Sequence, residues 1–276
     1  KSGGTTGSRP DRKMQDALFA LDEGDLDHAR SLLREARAAF IESRQATDDI
    51  DLMMLSLDAL EGVPDATQLR AHLATTSGAA THAPAVDLFD QRFRRLLVAY
   101  LAARQGDVEL AREAMGSEGA SIDGFPALDD LQAVVDAELA RAAGDAPRAV
   151  QLLKARINGD ELYLTHIVML DALTASGDLR GALAEAQWLA QHRGRAYSEY
   201  NSEWILRAYY VGQSSLALLR AADLQWQLKD SSASATSLAA FRKAWNRGTR
   251  TNATQLRIEE LGTLLAAPHK DPSAPR

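Results

Sequence analysis

Gly24-Asp25-Leu26-Asp27-His28-Ala29 returns three times with its first two residues and its last unchanged, as Gly106-Asp107-Val108-Glu109-Leu110-Ala111, Gly144-Asp145-Ala146-Pro147-Arg148-Ala149 and Gly177-Asp178-Leu179-Arg180-Gly181-Ala182. Each residue has a physical task. Glycine ends a helix because it enters the left-handed region without a Cβ penalty. Aspartate then accepts from the orphan backbone N–H groups that open the next helix. Alanine four residues on lets two helices approach closely. The unit predicted is a helical hairpin, and its recurrence predicts an array of hairpins.

Helical periodicity fills the intervals between these turns. Pro10 can open the first helix, since its missing N–H would have no intrahelical partner there. A first pair is expected over residues 11–23 and 26–45, with Leu18, Phe19, Leu21, Leu26, Leu32, Leu33, Phe40 and Ile41 as its apolar faces. A second pair lacks the Gly-Asp signature. In it Thr47 or Asp48 caps a helix to Leu60, Pro64 marks the turn, and Asp65 with Gln68 forms a capping-box start. A long helix over 85–105 ends on Gly106 and a short one follows to Met115. The Gly-, Ser- and Asp-rich stretch 116–126 reads as a hinge. Further pairs are expected over 127–143 with 146–157 and over 161–176 with 179–193, with Asn158-Gly159-Asp160 closing one and capping the next. A helix from Asn201 to Leu228, interrupted at Gly212, leads to Lys229-Asp230, which stands where earlier units carry Gly-Asp. Its partner runs to about Asn246, and Asn252 with Gln255 caps a last helix to Ala266. Residues 1–9 read as a disordered linker, 10–267 as the repeat domain and 268–276 as a disordered tail.

Composition agrees with this class. Of 276 residues, 46% are apolar and 25% charged, and Ala and Leu outnumber β-branched and aromatic residues, which favours helix over strand. A net charge of −7 argues against wholesale nucleic-acid binding, which needs clustered Lys and Arg. The distribution is uneven: residues 11–65 are acidic, whereas Arg242, Lys243, Arg247, Arg250 and Arg257 make the C-terminal segment basic. A head-to-tail contact between neighbouring copies is one use of that asymmetry. The chain has no cysteine, so thiolate metal sites and cysteine nucleophiles are excluded. No apolar run is long enough for membrane insertion and no signal peptide is read, which leaves cytoplasm and periplasm both open.

The pattern resembles the tetratricopeptide repeat, over roughly residues 11–250. Ala99, Ala137 and Leu170 fall at the small position of the first helix, and Ala29, Ala111, Ala149 and Ala182 at that of the second. The intervals between the glycines, 82, 38 and 33 residues, depart from a strict period, and most of the bulky aromatics of the family are missing. The resemblance implies an all-α fold, an α-solenoid of stacked antiparallel helix pairs, and a protein or peptide partner. Co-chaperone members hold a partner's terminal carboxylate with Lys and Asn. Here those positions carry Leu96, Tyr100, Val134, Glu138, Ile167 and Asp171, so that clamp is not implied.

Two groups of residues are candidates for binding. First-helix positions expected to line the concave groove are Tyr100, Glu138, Arg141, Asp171, Asp223 and Trp226, whose mixed charge and aromatic anchor suit a peptide. Their alternative is an ordinary solvated surface with ion pairs one turn apart. The second group is the aromatic and basic segment Trp188, Arg193, Arg195, Tyr197, Tyr200 and Trp204, since Trp, Tyr and Arg dominate recognition surfaces. Its alternative is packing at the junction between repeats.

Chemistry finds no foothold in the motifs. The six histidines form no HExxH pair, no GxSxG elbow is present, and the early Gly-rich stretch lacks the ending of a phosphate loop. No metal and no cofactor are expected. The expected function is a noncatalytic protein- or peptide-binding scaffold, part of a larger bacterial signalling or assembly protein. The alternatives are a small-ligand sensor with its pocket near Trp188, Arg195, Tyr200 and Trp204, and an enzyme with an unrecognised site that uses Asp171 and Glu138.

Overall fold

A computed structural model describes residues 9–62, 64–76, 85–116, 125–199, 204–247 and 252–266, and among them every regular element is a helix. The chain builds α1 (Arg9–Asp22) and α2 (Leu26–Glu42), then α3 (Asp48–Glu61) and α4 (Ala66–Thr76). Next come α5 (Ala85–Arg104) with α6 (Val108–Met115), α7 (Pro126–Ala142) with α8 (Ala146–Lys154), and α9 (Tyr163–Ser176) with α10 (Leu179–Gln191). The short α11 (Arg193–Ser198) and a 3₁₀ turn at Trp204–Leu206 lead into α12 (Arg207–Gln227), α13 (Ser231–Ala244) and α14 (Asn252–Ala266). The expected linker apart from Arg9, the tail and most of the hinge lie outside the described residues; Arg9 already belongs to α1, one residue before the expected start.

The recurring hexapeptide forms one and the same turn. Gly24, Gly106, Gly144 and Gly177 have φ of +85°, +86°, +82° and +81°. The aspartates behind them accept from the backbone N–H three residues on, at His28, Leu110, Arg148 and Gly181, over 2.9–3.1 Å. Each aspartate N–H in turn reaches back to a helix carbonyl, as in Asp25 to Ala20 at 2.8 Å and Asp178 to Leu173 at 3.0 Å, which closes the helix end. Lys229-Asp230 makes a fifth copy. Lys229 takes φ +67° and Asp230 caps Ala233 at 3.0 Å, so the turn persists where glycine is absent. Ala29, Ala99, Ala111, Ala137, Ala149 and Ala182 are all fully buried, as close helix approach requires.

Several local readings are corrected. Helix α12 runs unbroken through Gly212, where a Cβ would collide with the Leu60 side chain of α3, so that glycine serves a helix crossing. Asp160 caps nothing; the Glu161 carboxylate takes the free N–H groups of Asn158 and Gly159 instead, at 2.8 and 2.6 Å. The Thr47 hydroxyl bonds Asp51 rather than capping α3. Asp65 accepts from the Thr67 N–H at 2.8 Å, but the Gln68 amide reaches the Asp65 carboxylate, so the capping box is not reciprocal. Phe19 and Ile41 face solvent, because their neighbours Leu18, Leu21 and Phe40 already occupy the inward side.

Hairpins stack on hairpins through the middle of the chain: α5 packs on α7, α7 on α9, and α10 on α12. The two ends of the chain then meet. Helices α1 and α3 pack against α12, and α3 also touches α5. Trp245, buried at the end of α13, donates its indole N–H to the Leu21 carbonyl at 2.9 Å, and its ring fills the space a Cβ on Gly24 would need. Arg247 pairs with Glu23 at 2.9 Å. The acidic first pair and the basic C-terminal segment therefore touch within one chain, through Arg247 and Glu23. One apolar core runs through α3, α5, α7, α9, α10 and α12, and a second joins α1, α2, α3, α12, α13 and α14.

Candidate functional site

Helices contributed by separate hairpins lie side by side around a cleft of about 530 Å³. Arg104 comes from the last turn of α5, Arg141 from the last turn of α7, Asp171 from the middle of α9 and Arg220 from α12. Ala59, Leu60 and Gly62 at the end of α3, Thr174 and Ala175 of α9, and Ala253 and Thr254 in the first turn of α14 complete the wall. Beneath the arginines lies Glu138, whose side chain is fully buried.

The charges form one chain. Arg220 donates to Asp171 at 2.6 Å, Arg104 bridges Asp171 and Glu138 at 2.9 and 3.0 Å, and Arg141 donates to Glu138 at 2.6 Å. Burial alone would raise the Asp171 carboxyl, but the charges of Arg104 and Arg220 and their hydrogen bonds outweigh it and hold the group well below the usual carboxylate range. For Arg104 burial acts against the charge; the surrounding Tyr100, Tyr209, Asp171 and Glu138 outweigh it, and the guanidinium is held more firmly protonated than usual. Under this chain the hydroxyls of Tyr100 and Tyr209 bond each other at 2.8 Å with their rings edge to face. Burial pushes both phenols up.

The six groove candidates divide. Glu138, Arg141 and Asp171 come together in the network, and Tyr100 lies directly behind it but is wholly buried, so its ring supports the floor and reaches no surface. Asp223 and Trp226 are elsewhere. Asp223 pairs with Arg257 of α14, and Trp226 packs partly buried on the second core. Arg104 and Arg220 are the members that sequence reasoning missed. Arg104 stands one helical turn beyond Tyr100 and two beyond Leu96, a spacing that places all three on one face.

The aromatic and basic segment is scattered over three junctions. Trp188 is half-buried between the rings of His166, 3.5 Å from it at 17°, and His192, 4.2 Å from it at 18°, with the Arg195 guanidinium 5.6 Å from its centroid. The two nitrogens of His166 face Glu185 and Glu161 at 2.7 and 3.0 Å. Burial alone would raise the Glu161 carboxyl, yet the bonds from His166, Asn158 and Gly159 bring it down to about 2. Arg195 also meets Glu199, at 3.3 Å. Arg193 turns away to Asp22 and Ser215, and Tyr197 packs beside it on the second core. Trp204 stacks on Phe40, 6.5 Å between centroids. Tyr200 lies outside the described residues.

Among the described residues no cluster of three or more His, Asp and Glu side chains could hold a metal ion, and no helix is long and apolar enough to cross a membrane. No protein-family model, curated protein or solved structure matches the chain.

Proposed function

We propose that the protein is a noncatalytic scaffold of the tetratricopeptide kind, a stack of antiparallel helix pairs whose open cleft receives part of a protein or peptide partner. The observation that carries this reading is the convergence of Arg104, Arg141, Asp171 and Arg220, each on a helix of a different hairpin, around one open cleft. Polar groups held on rigid helices keep their geometry without a partner, which lowers the ordering cost of binding. The reading extends to a module of a larger bacterial signalling or assembly protein.

A photo-crosslinking residue at Thr174 or Ala175, both on the cleft wall, tests it against the same residue at exposed Lys154 on α8. Crosslinks to a discrete protein from the cleft positions and none from position 154 support the scaffold. Equal labelling from all three positions refutes it. An adjacent DNA-binding, kinase or cyclase segment in the flanking sequence supports the larger-protein reading, and a freestanding chain overturns it.

A further inference from the structure

We infer that the same cleft is a binding site for one carboxylate carried on a small apolar body, an inference that takes from the scaffold reading only the location. Charge comes first. Among the described residues three guanidinium groups, Arg104, Arg141 and Arg220, meet two carboxylates, Asp171 and Glu138, which leaves one positive charge over. A monoanion closes that balance; a phosphate dianion overshoots it.

The donors come second. A guanidinium has five N–H groups in a fixed fork that matches the two oxygens of a carboxylate. Among the described residues Arg141 donates only its Nε to the protein, to Glu138, and Arg220 only one Nη, to Asp171. Both Nη atoms of Arg141 and the other Nη of Arg220 are therefore uncommitted on side chains 28% and 39% exposed, and both residues line the cleft. Arg104, the most enclosed of the three, bridges both carboxylates and fixes the frame.

Shape comes third. The rest of the wall is largely aliphatic, from Ala59, Leu60, Ala175 and Ala253, and about 530 Å³ falls in the range of pockets that take small organic ligands. A ligand with a charged end for the arginines and a hydrocarbon body for this wall fits both parts. These arginines are not at the positions where the co-chaperone clamp keeps its Lys and Asn, so the sequence comparison of those positions does not bear on this site.

Thermal unfolding of the intact protein in sodium benzoate, sodium acetate, sodium phosphate and benzamide, each compared with sodium chloride at matched ionic strength, is the test. Benzoate is expected to raise Tm with the logarithm of its free concentration, by about 3 °C at roughly tenfold its Kd, with acetate weaker, benzamide without effect, and phosphate giving no rise that Arg141→Gln removes. Arg141→Gln and Arg220→Gln each leave the affected carboxylate bonded to Arg104, so the fold is kept while the benzoate shift is lost. Ala175→Glu, which brings a carboxylate of the protein's own to the wall, should abolish the shift without disturbing the network. No benzoate shift beyond chloride, or a shift that survives both Arg141→Gln and Ala175→Glu, overturns the assignment. Acetyl-tetraalanine with a free carboxyl, against its amide, separates the sources: stronger binding than benzoate assigns the site to peptide carboxylates, and weaker binding to free small acids. A partner crosslinked at Thr174 with no anion effect keeps the scaffold and removes this site.

Discussion

The cleft, with Tyr100 and Tyr209 buried beneath its charges, and the Trp188 stack both join aromatic rings to paired charges, yet they are assembled over different distances along the chain. The cleft draws Arg104, Glu138, Asp171 and Arg220 from four hairpins, with partners 34, 67 and 49 residues apart. The Trp188 stack draws His166, Trp188 and His192 from the single hairpin of α9 and α10 and its exit. Charges pooled from distant helices report on how the array as a whole comes together, whereas rings pooled within one hairpin report on that hairpin alone. Removing a charge from the first should therefore be felt globally, and removing a ring from the second locally.

Asp171→Asn gives the largest expected effect. It keeps the shape but leaves Arg104 and Arg220 facing each other across a site only 14% exposed at Asp171. Breaking one partner out of a buried ionic network costs about 3 kcal/mol. The same change at Asp223, whose pair with Arg257 lies nearer solvent, should cost under about 1 kcal/mol. Urea unfolding of the two variants checks the contrast, and equal losses would show that the cleft network is no more than a surface ion pair.

Next in size is a pH effect at the hairpin. Glu161 is held down to about 2 from an ordinary value of 4.5, so its contribution is fully present above pH ~4.5 and is lost as pH falls towards 2. The linkage is on the order of 3 kcal/mol at most. Glu161→Gln should be less stable than the parent at neutral pH, and the gap between them should close between pH ~5 and ~2. A gap that stays constant would mean that Glu161 owes little to His166 and the two backbone N–H groups.

Trp188→Ala should then cost about 2 kcal/mol, less than a fully buried Trp, because the ring is only partly buried at the edge of the core, between its two histidine partners. Hydrogen exchange should show the loss confined to α9 and α10. Loosening that also reaches α5 or α7 would contradict the division between the two regions.

How far the sequence disclosed each region follows the same division of distance. The Gly-Asp turns were readable because cap, left-handed residue and helix start lie within six residues, and Lys229-Asp230 was readable by position even without its glycine. Glu138, Arg141 and Asp171 were readable as one face of successive first helices. Arg220 is not, because α12 meets α9 through packing that no local spacing encodes; Asp223, the expected groove position in the same helix, lies three residues on. The meeting of α1 and α3 with α12 was equally hidden: Trp245 and Leu21 are 224 residues apart, and nothing near either names the other. The aromatic segment misleads in the opposite sense, since closeness in sequence from Trp188 to Trp204 suggests one surface where the helix breaks at His192 and after Ser198 part the side chains among three.

The smallest expected effect separates the two regions most finely. Tyr100 and Tyr209 are wholly buried, 109 residues apart, and joined by a single hydroxyl pair at 2.8 Å beneath the charged network. Tyr100→Phe removes one hydroxyl and leaves the other without that partner, so it should cost about 1 kcal/mol, and Tyr209→Phe about the same. The double change removes both partners of the bond and leaves no orphan from it. Its cost should therefore fall below the sum of the single costs by on the order of 0.5–1 kcal/mol in a double-mutant cycle. Tyr163, on the Trp188 side, gives its hydroxyl to the Leu189 carbonyl within the α9 and α10 hairpin, also at 2.8 Å. Tyr163→Phe should show no coupling to Tyr100→Phe. Strict additivity at Tyr100 and Tyr209 would mean that the two hydroxyls are satisfied independently, and the cleft would then lose the floor that ties α5 to α12.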